Sequence, residues 1–223
     1  MSDHATLSPS GSTRWLECPA SVTLSEGIPN STNIHAEVGT TMHLVGEILL
    51  KYGKTASELF SGLLYHADYY ANYVREYQTS TSHWHIEERI KVFKECWGTA
   101  DAIVYDRGHL RIIDLKGGKS LVKAKDNTQL MLYALGAMRM YPDTTKVTLH
   151  ICQPRAKDSE WSPTLKELKA FKKKAKKAGA KALNPEELSQ AYTSARCWYC
   201  PAQHLCNAFA DASNPFKKEE NGR

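Results

Sequence analysis

Residues 97–118 read WGTADAIVYDRGHLRIIDLKGG, and this stretch predicts a β-hairpin. Two runs rich in apolar and β-branched residues flank a polar break that contains a glycine, which is typical of two strands joined by a tight turn. A loop of two residues (107–108) or of four (106–109) gives the same strand register. In either case Asp101 lies opposite Asp114, so the hairpin brings two carboxylates face to face.

The facing carboxylates require a positive partner. Side chains directly opposite each other on a sheet are about 5 Å apart, and like charges at that distance repel. Lys116 follows Asp114 by two residues, so the period of a strand returns both to one face. A divalent cation held by the two aspartates would stabilise the cluster, because hard cations prefer carboxylate oxygens. A surface ion-pair ladder, in which Lys116 alone neutralises both aspartates, explains the same pattern.

The composition is typical of one globular domain. The chain has 223 residues, of which 42% are hydrophobic, and a net charge of +5. We expect a single domain over residues 1–210 and a flexible polar tail over residues 211–223. There is no apolar run of transmembrane length and no signal pattern at the N-terminus, so we expect a cytoplasmic protein without a membrane partner. The mildly basic charge permits a polyanionic partner without demonstrating one.

The order of helical and extended patterns predicts an α/β fold. Two helical segments precede three consecutive strands, and a crossover helix then leads to a fourth strand. The expected architecture is a mixed central β-sheet flanked by helices, with the first strands antiparallel. The predicted segments are helices at 36–51, 56–78 and about 127–140, and strands at 84–92 and 147–152 beside the hairpin.

Three further polar positions stand out on these elements. His43 lies on the first long helix, and Gln129 and Tyr133 share one face of the crossover helix, where a hydrogen-bonded helix surface is the alternative interpretation. Glu88 falls among apolar neighbours on the strand 84–92. A glutamate on an inward face is either paired with a cation or assigned one position out of register.

Four motifs follow one another along the chain: His43, Gly98-x-x-Asp101, Asp114-x-Lys116 and Gln129-x3-Tyr133. In this order they resemble the RecB-like branch of the PD-(D/E)XK nuclease superfamily. The resemblance implies a restriction-endonuclease-like core and metal-dependent hydrolysis of DNA phosphodiester bonds, with single strands or DNA ends as the expected substrate. It covers almost the whole chain, from Cys18 to Cys206.

The resemblance also implies a role for each motif. His43, Asp101, Asp114 and the main-chain carbonyl of Leu115 would bind Mg²⁺ or Mn²⁺, a choice that the histidine leaves open. Lys116 would orient the attacking water or stabilise the transition state. Gln129 and Tyr133 would face the same cleft, where they would contact the scissile strand or hold Lys116.

The cysteines form a second constellation. Cys197, Cys200 and Cys206 give a C-x2-C-x5-C pattern near the C-terminus, and Cys18 lies far upstream. This split resembles the iron–sulfur variant of the same branch, found in CRISPR-associated RecB-like nucleases and in the AddB subunit, which implies a [4Fe–4S] cluster. A structural zinc site with four cysteine ligands is the alternative. Cys96 and Cys152 fall in predicted strands and are expected to be core thiols.

The remaining features leave two interpretations open. A helix that opens at Pro163 and ends near Gly179 contains the lysine run 172–177, which is either a solvated face or a contact for DNA phosphates. Trp198 and Tyr199 would shield the cysteine site from water or stack on a base. A non-catalytic nucleic-acid-binding module with a zinc site is the rival to a nuclease.

Overall fold

A mixed five-stranded sheet forms the centre of the computed structural model, which describes residues 5–28, 34–53, 64–184 and 197–213. The strands lie in sequence order: the first three are antiparallel, the fourth is parallel to the third, and the fifth is antiparallel to the fourth. They are β1 (His83–Phe93), β2 (Cys96–Asp106), β3 (His109–Leu115), β4 (Lys146–Cys152) and β5 (Ser159–Trp161).

Helices cover both faces of this sheet. The helices are α1 (Ser12–Trp15), α2 (Ala20–Leu24), α3 (Ile34–Tyr52), α4 (Leu64–Arg75), α5 (Thr128–Ala137), α6 (Leu165–Leu183) and α7 (Asn207–Ser213). Alternate residues of β2 and β3 point to opposite faces: Ala102 and Ile113 pack with α3 and α4, whereas Ile103 and Ile112 pack with α5 and α6.

The predicted α/β class is confirmed, and so is the hairpin register. The turn is a two-residue loop in which Arg107 and Gly108 both have positive φ, the geometry that suits the twist of a hairpin. The last ladder pair toward the open end joins Ala102 to Ile113. Asp101 and Asp114 come directly after this pair, so both carboxylates lie at the place where β2 and β3 stop pairing.

The crossover is also as predicted. Asn127 begins α5 by accepting a hydrogen bond from the backbone N–H of Leu130, and α5 then leads to the parallel strand β4. Because both faces of the sheet are covered, β3 and β4 are almost wholly buried. The short strand β5 was not predicted.

The lysine-rich helix is longer than expected. It does not end at Gly179 but continues to Leu183. Gly179 is buried inside the helix, where a Cβ would lie 2.9 Å from Leu7 Cδ1, so the glycine serves a close packing contact and not a helix end.

Other boundaries differ from the predictions at the ends of elements. The helix predicted over 56–78 is observed as α4, while residues 54–63 lie outside the described residues. The flexible tail predicted over residues 211–223 does not begin at residue 211, because α7 continues to Ser213; the rest of that prediction lies outside the described residues. Within the described part of the chain, no helix is long and apolar enough to span a bilayer.

Candidate active site

The polar residues of the four motifs lie near the place where β2 and β3 stop pairing. His43 comes from α3, Asp101 from β2, Asp114 from β3, Lys116 from the residues just after β3, and Gln129 from the first turn of α5. Their side chains form two groups, one around Asp101 and one around Asp114.

The first group is suited to a divalent cation. His43 Nδ1 lies 3.4 Å from Asp101 Oδ2 and 3.8 Å from Glu87 Oε1. Ligand atoms of His43, Glu87 and Asp101 all lie within 4.8 Å of one another, which makes this a three-ligand group. An imidazole nitrogen with two carboxylate oxygens is a donor set that Mn²⁺ accepts and that Mg²⁺ tolerates.

The sequence pattern singled out Glu88, with an assignment one position out of register as the alternative, and the glutamate at the site is its neighbour Glu87. Glu87 has a positive φ of 52°. The side chains before and after it point to opposite faces of the sheet: Ile86 packs toward α4, whereas Ile90 packs toward α5. An uninterrupted strand would place these two even-numbered residues on one face, so the alternation reverses at Glu87. Glu88 turns away, and its carboxylate lies 3.5 Å from His85 Nδ1.

The carboxylate of Asp101 is buried and is held by the backbone of the neighbouring strand. Its Oδ2 accepts a hydrogen bond of 2.7 Å from the N–H of Leu115. Leu115 thus contacts the site through its N–H, whereas the family resemblance implies a role for its carbonyl. Leu115 lies between Asp114 and Lys116 in the chain, so this hydrogen bond joins the two groups.

The second group is an ion pair between a buried carboxylate and a partly exposed ammonium, bridged by an amide. Lys116 Nζ lies 2.8 Å from Asp114 Oδ2 and donates a hydrogen bond of 3.2 Å to Gln129 Oε1. Gln129 Nε2 donates a hydrogen bond of 2.8 Å to Asp114 Oδ1. Gln129 therefore contacts both members of the pair and fixes their relative position.

The electrostatics differ between the two groups. Burial raises the pKa of Asp114 to about 6, although the Lys116 ammonium opposes the shift. Burial alone would lower the pKa of Lys116, but the Asp114 carboxylate outweighs it and the pKa is raised. Burial likewise lowers the pKa of His43, yet hydrogen bonds to Asp101 and Glu87 raise it to about 10. A positive charge is therefore stabilised between the Glu87 and Asp101 carboxylates.

Tyr133 forms a wall of the site and offers little surface to a ligand. It is 3% exposed and belongs to the core around α5. A Cβ at Gly98 would lie 3.0 Å from the Tyr133 hydroxyl and 2.9 Å from Pro9, so the glycine of the Gly98-x-x-Asp101 motif is required for close approach. Burial, followed by the charges of Asp101 and Asp114, raises the pKa of the Tyr133 hydroxyl.

The four predicted cluster cysteines surround one cavity. Cys18 follows α1, and Cys197, Cys200 and Cys206 come from the C-terminal segment, where Cys200 N–H donates to Cys197 O. Chain ends that are far apart in sequence therefore meet at this cavity. Cys96 and Cys152 are buried in β2 and β4, as predicted.

The two aromatic residues of the C-x2-C motif do not cover the cysteine cavity from solvent. Trp198 is 67% exposed and Tyr199 is 85% exposed. Because both project into solvent, the prediction that they exclude water from the cysteines is wrong. The Trp198 ring makes an edge contact with Phe209, which orients it.

Sheet and site together define an α/β protein with a candidate divalent-cation site near the place where β2 and β3 stop pairing. The chain belongs to the family described as "Protein of unknown function (DUF2800)", whose model matches residues 4–222. It is also similar to a solved structure titled "Crystal structure of SSO0001", with 16% sequence identity and a TM-score of 0.45. That match covers 93% of this chain and 89% of the other.

Proposed function

We propose that this protein is a metal-dependent DNA nuclease of the PD-(D/E)XK type. The observation that supports this best is the hydrogen bond from Leu115 N–H to Asp101 Oδ2, because it joins a three-ligand group to the Asp114–Lys116 ion pair. Both elements promote phosphodiester hydrolysis, since a cation site and a fixed positive charge beside it stabilise the charge that develops on the phosphate. The four ordered motifs of the sequence support the same reaction.

The residues present fit Mg²⁺ or Mn²⁺. His43, Glu87 and Asp101 supply one nitrogen and two oxygen donors at the same place, and a bound cation would replace the positive charge that the two carboxylates now draw from the imidazole. When bound, the ion would lower the pKa of its water and neutralise charge on the phosphate.

Lys116 would act on the reacting phosphate. Its ammonium is held by Asp114 and Gln129 and is about one-third exposed, so it is both fixed and reachable. A fixed cation stabilises the negative charge that develops on the phosphoryl oxygens and needs little reorganisation during the reaction. Asp114 would keep Lys116 protonated, since its carboxylate raises the lysine pKa.

We further propose that the four cysteines hold a [4Fe–4S] cluster. All four line one cavity, and four cysteine thiolates are the usual ligand set of such a cluster. A structural zinc site with the same four cysteine ligands is the alternative.

The test is incubation of the pure protein with end-labelled single-stranded DNA and Mn²⁺, alongside Asp114→Ala and Lys116→Ala. We expect stepwise shortening by the wild type and none by the variants. Substrates blocked at the 5′ or the 3′ end would separate exonuclease from endonuclease action and give the polarity. Intact DNA with wild-type protein, or equal cleavage by the variants, would overturn the proposal. Tight binding without cleavage would instead favour the non-catalytic module.

A further inference from the structure

We propose that α6 is a second nucleic-acid contact, a surface that binds the phosphate backbone without regard to sequence. This inference deepens the proposed nuclease function and rests on it for the identity of the polyanion. The helix carries eight lysines and one glutamate, a charge of +7. The whole chain carries only +5, so the rest of the protein is slightly acidic.

The lysines occupy one continuous face. Five buried residues form an apolar stripe at helical spacing that packs on the core: Leu168, Phe171, Ala175, Gly179 and Ala182. Every lysine of the helix is exposed and lies outside this stripe: Lys166, Lys169, Lys172, Lys173, Lys174, Lys176, Lys177 and Lys181. With a rise of about 1.5 Å per residue the helix is about 28 Å long, so it presents an extended basic surface.

Acidic groups do not neutralise this surface. Within the described part of the chain, none of the eight lysines takes part in an ion pair. Glu167 takes part in the capping box at Thr164, where its carboxylate accepts a hydrogen bond of 2.7 Å from the Thr164 N–H. Lysines four residues apart, such as Lys169 and Lys173, repel each other and destabilise the helix. A bound polyanion would remove this repulsion and release counterions.

The fold favours a nucleic acid over a lipid surface. The apolar stripe of α6 is already buried against the core, so the helix has no free apolar face to insert between lipids. The helix packs against α5, whose first turn carries Gln129 of the candidate active site. A backbone bound along α6 would therefore lie beside the helix that contributes to the site.

Two triple variants with equal charge test this inference. The helix variant combines Lys173→Gln, Lys176→Gln and Lys177→Gln. The control combines Lys91→Gln, Lys94→Gln and Lys146→Gln, at exposed lysines outside α6. Each variant lowers the net charge by the same amount, so a difference between them reports position and not total charge.

Binding is measured in EDTA, where metal-dependent cleavage cannot occur, with a labelled oligothymidine, a labelled DNA duplex and phosphatidylserine vesicles. For nucleic acid, the slope of log Kd against log salt should fall by about 2 to 3 in the helix variant, since each phosphate contact contributes about 0.7 to 0.9. The control should keep the wild-type slope. The two DNA probes decide between a single strand and a duplex as the bound form.

Three results would overturn the inference: equal losses in both variants, no loss in the helix variant, or a loss confined to vesicle binding. Lys173→Glu excludes unfolding as a cause, because the new acid lies four residues from both Lys169 and Lys177. It should weaken DNA binding while leaving the melting temperature unchanged or higher. Salt-dependent binding through α6 by a protein that cleaves nothing would contradict the nuclease proposal alone.

Discussion

Glu87 on β1 lies opposite Asp101 on β2, between the paired residues Ile86–Ala102 and Glu88–Ala100. His43 Nδ1 is within 4 Å of a carboxylate oxygen of each acid. The candidate cation site is therefore built by α3, β1 and β2, and the ion pair of Asp114 on β3 with Lys116 just after β3 lies beside it.

Glu87→Gln should weaken Mn²⁺ binding at least about 10- to 100-fold, because a carboxylate ligand becomes a neutral amide and even outer-shell partners of a metal contribute that much. Isothermal titration with Mn²⁺ on the metal-free protein measures the change. Glu88→Gln is the matched control, since Glu88 faces His85 and should leave the affinity unaltered. Equal Mn²⁺ affinities for the two variants would show that Glu87 is not a ligand.

The hairpin and the crossover were predictable because local chemistry determines them. The loop at 107–108 fixes the register of β2 and β3, and Asn127 marks the start of α5. Glu87 was not predictable from periodicity, because a single residue with positive φ reverses the faces of β1. The convergence of Cys18 on the C-terminal cysteines depends on tertiary packing, and only the motif pattern indicated it.

Lys116→Gln should reduce DNA cleavage at least about 100-fold, as removal of a fixed charge-stabilising donor does in other sites. It should also lower stability by roughly 1–3 kcal/mol, because Asp114 is left buried without its cation. The double variant Asp114→Asn/Lys116→Gln should regain the stability but not the activity. Urea unfolding and a cleavage assay measure the two effects separately, with Lys119→Gln as an exposed control. Recovery of activity in the double variant would make the role of Lys116 structural.

His150 should make the fold sensitive to mild acid. It is buried on β4 with Nδ1 3.1 Å from the Tyr73 hydroxyl, and burial, followed by the charge of Arg111, lowers its pKa to about 4. A histidine in the unfolded chain protonates near pH 6.5. Between about pH 6.5 and pH 4 the unfolded state therefore binds a proton at this residue that the folded state does not bind. The free energy of unfolding is therefore unaffected by His150 above this pH window, and it falls within the window by up to roughly 3 kcal/mol.

The free energy of unfolding at several pH values tests this effect. His150→Asn should flatten the acid limb of the curve relative to wild type. If His150→Asn loses stability in acid as steeply as the wild type, the acid sensitivity comes from other groups.

If the four cysteines hold the proposed [4Fe–4S] cluster, protein purified without oxygen should be brown and contain about four iron atoms per chain. Cys18→Ala should lose the iron even though it lies far from the other ligands in sequence, since it lines the same cavity. Cys96→Ala is the control, because Cys96 is buried in β2. A colourless preparation that contains zinc and no iron would replace the cluster by a zinc site.

The most decisive measurement is the rate at which end-labelled single-stranded DNA is shortened across a series of Mn²⁺ concentrations. A cation held by His43, Glu87 and Asp101 predicts no cleavage in EDTA, saturation with Mn²⁺ for the wild type and Glu88→Gln, and a shift to higher Mn²⁺ for Glu87→Gln. Cleavage that persists in EDTA, or an unchanged Mn²⁺ dependence in Glu87→Gln, would contradict a metal-dependent nuclease built on this site.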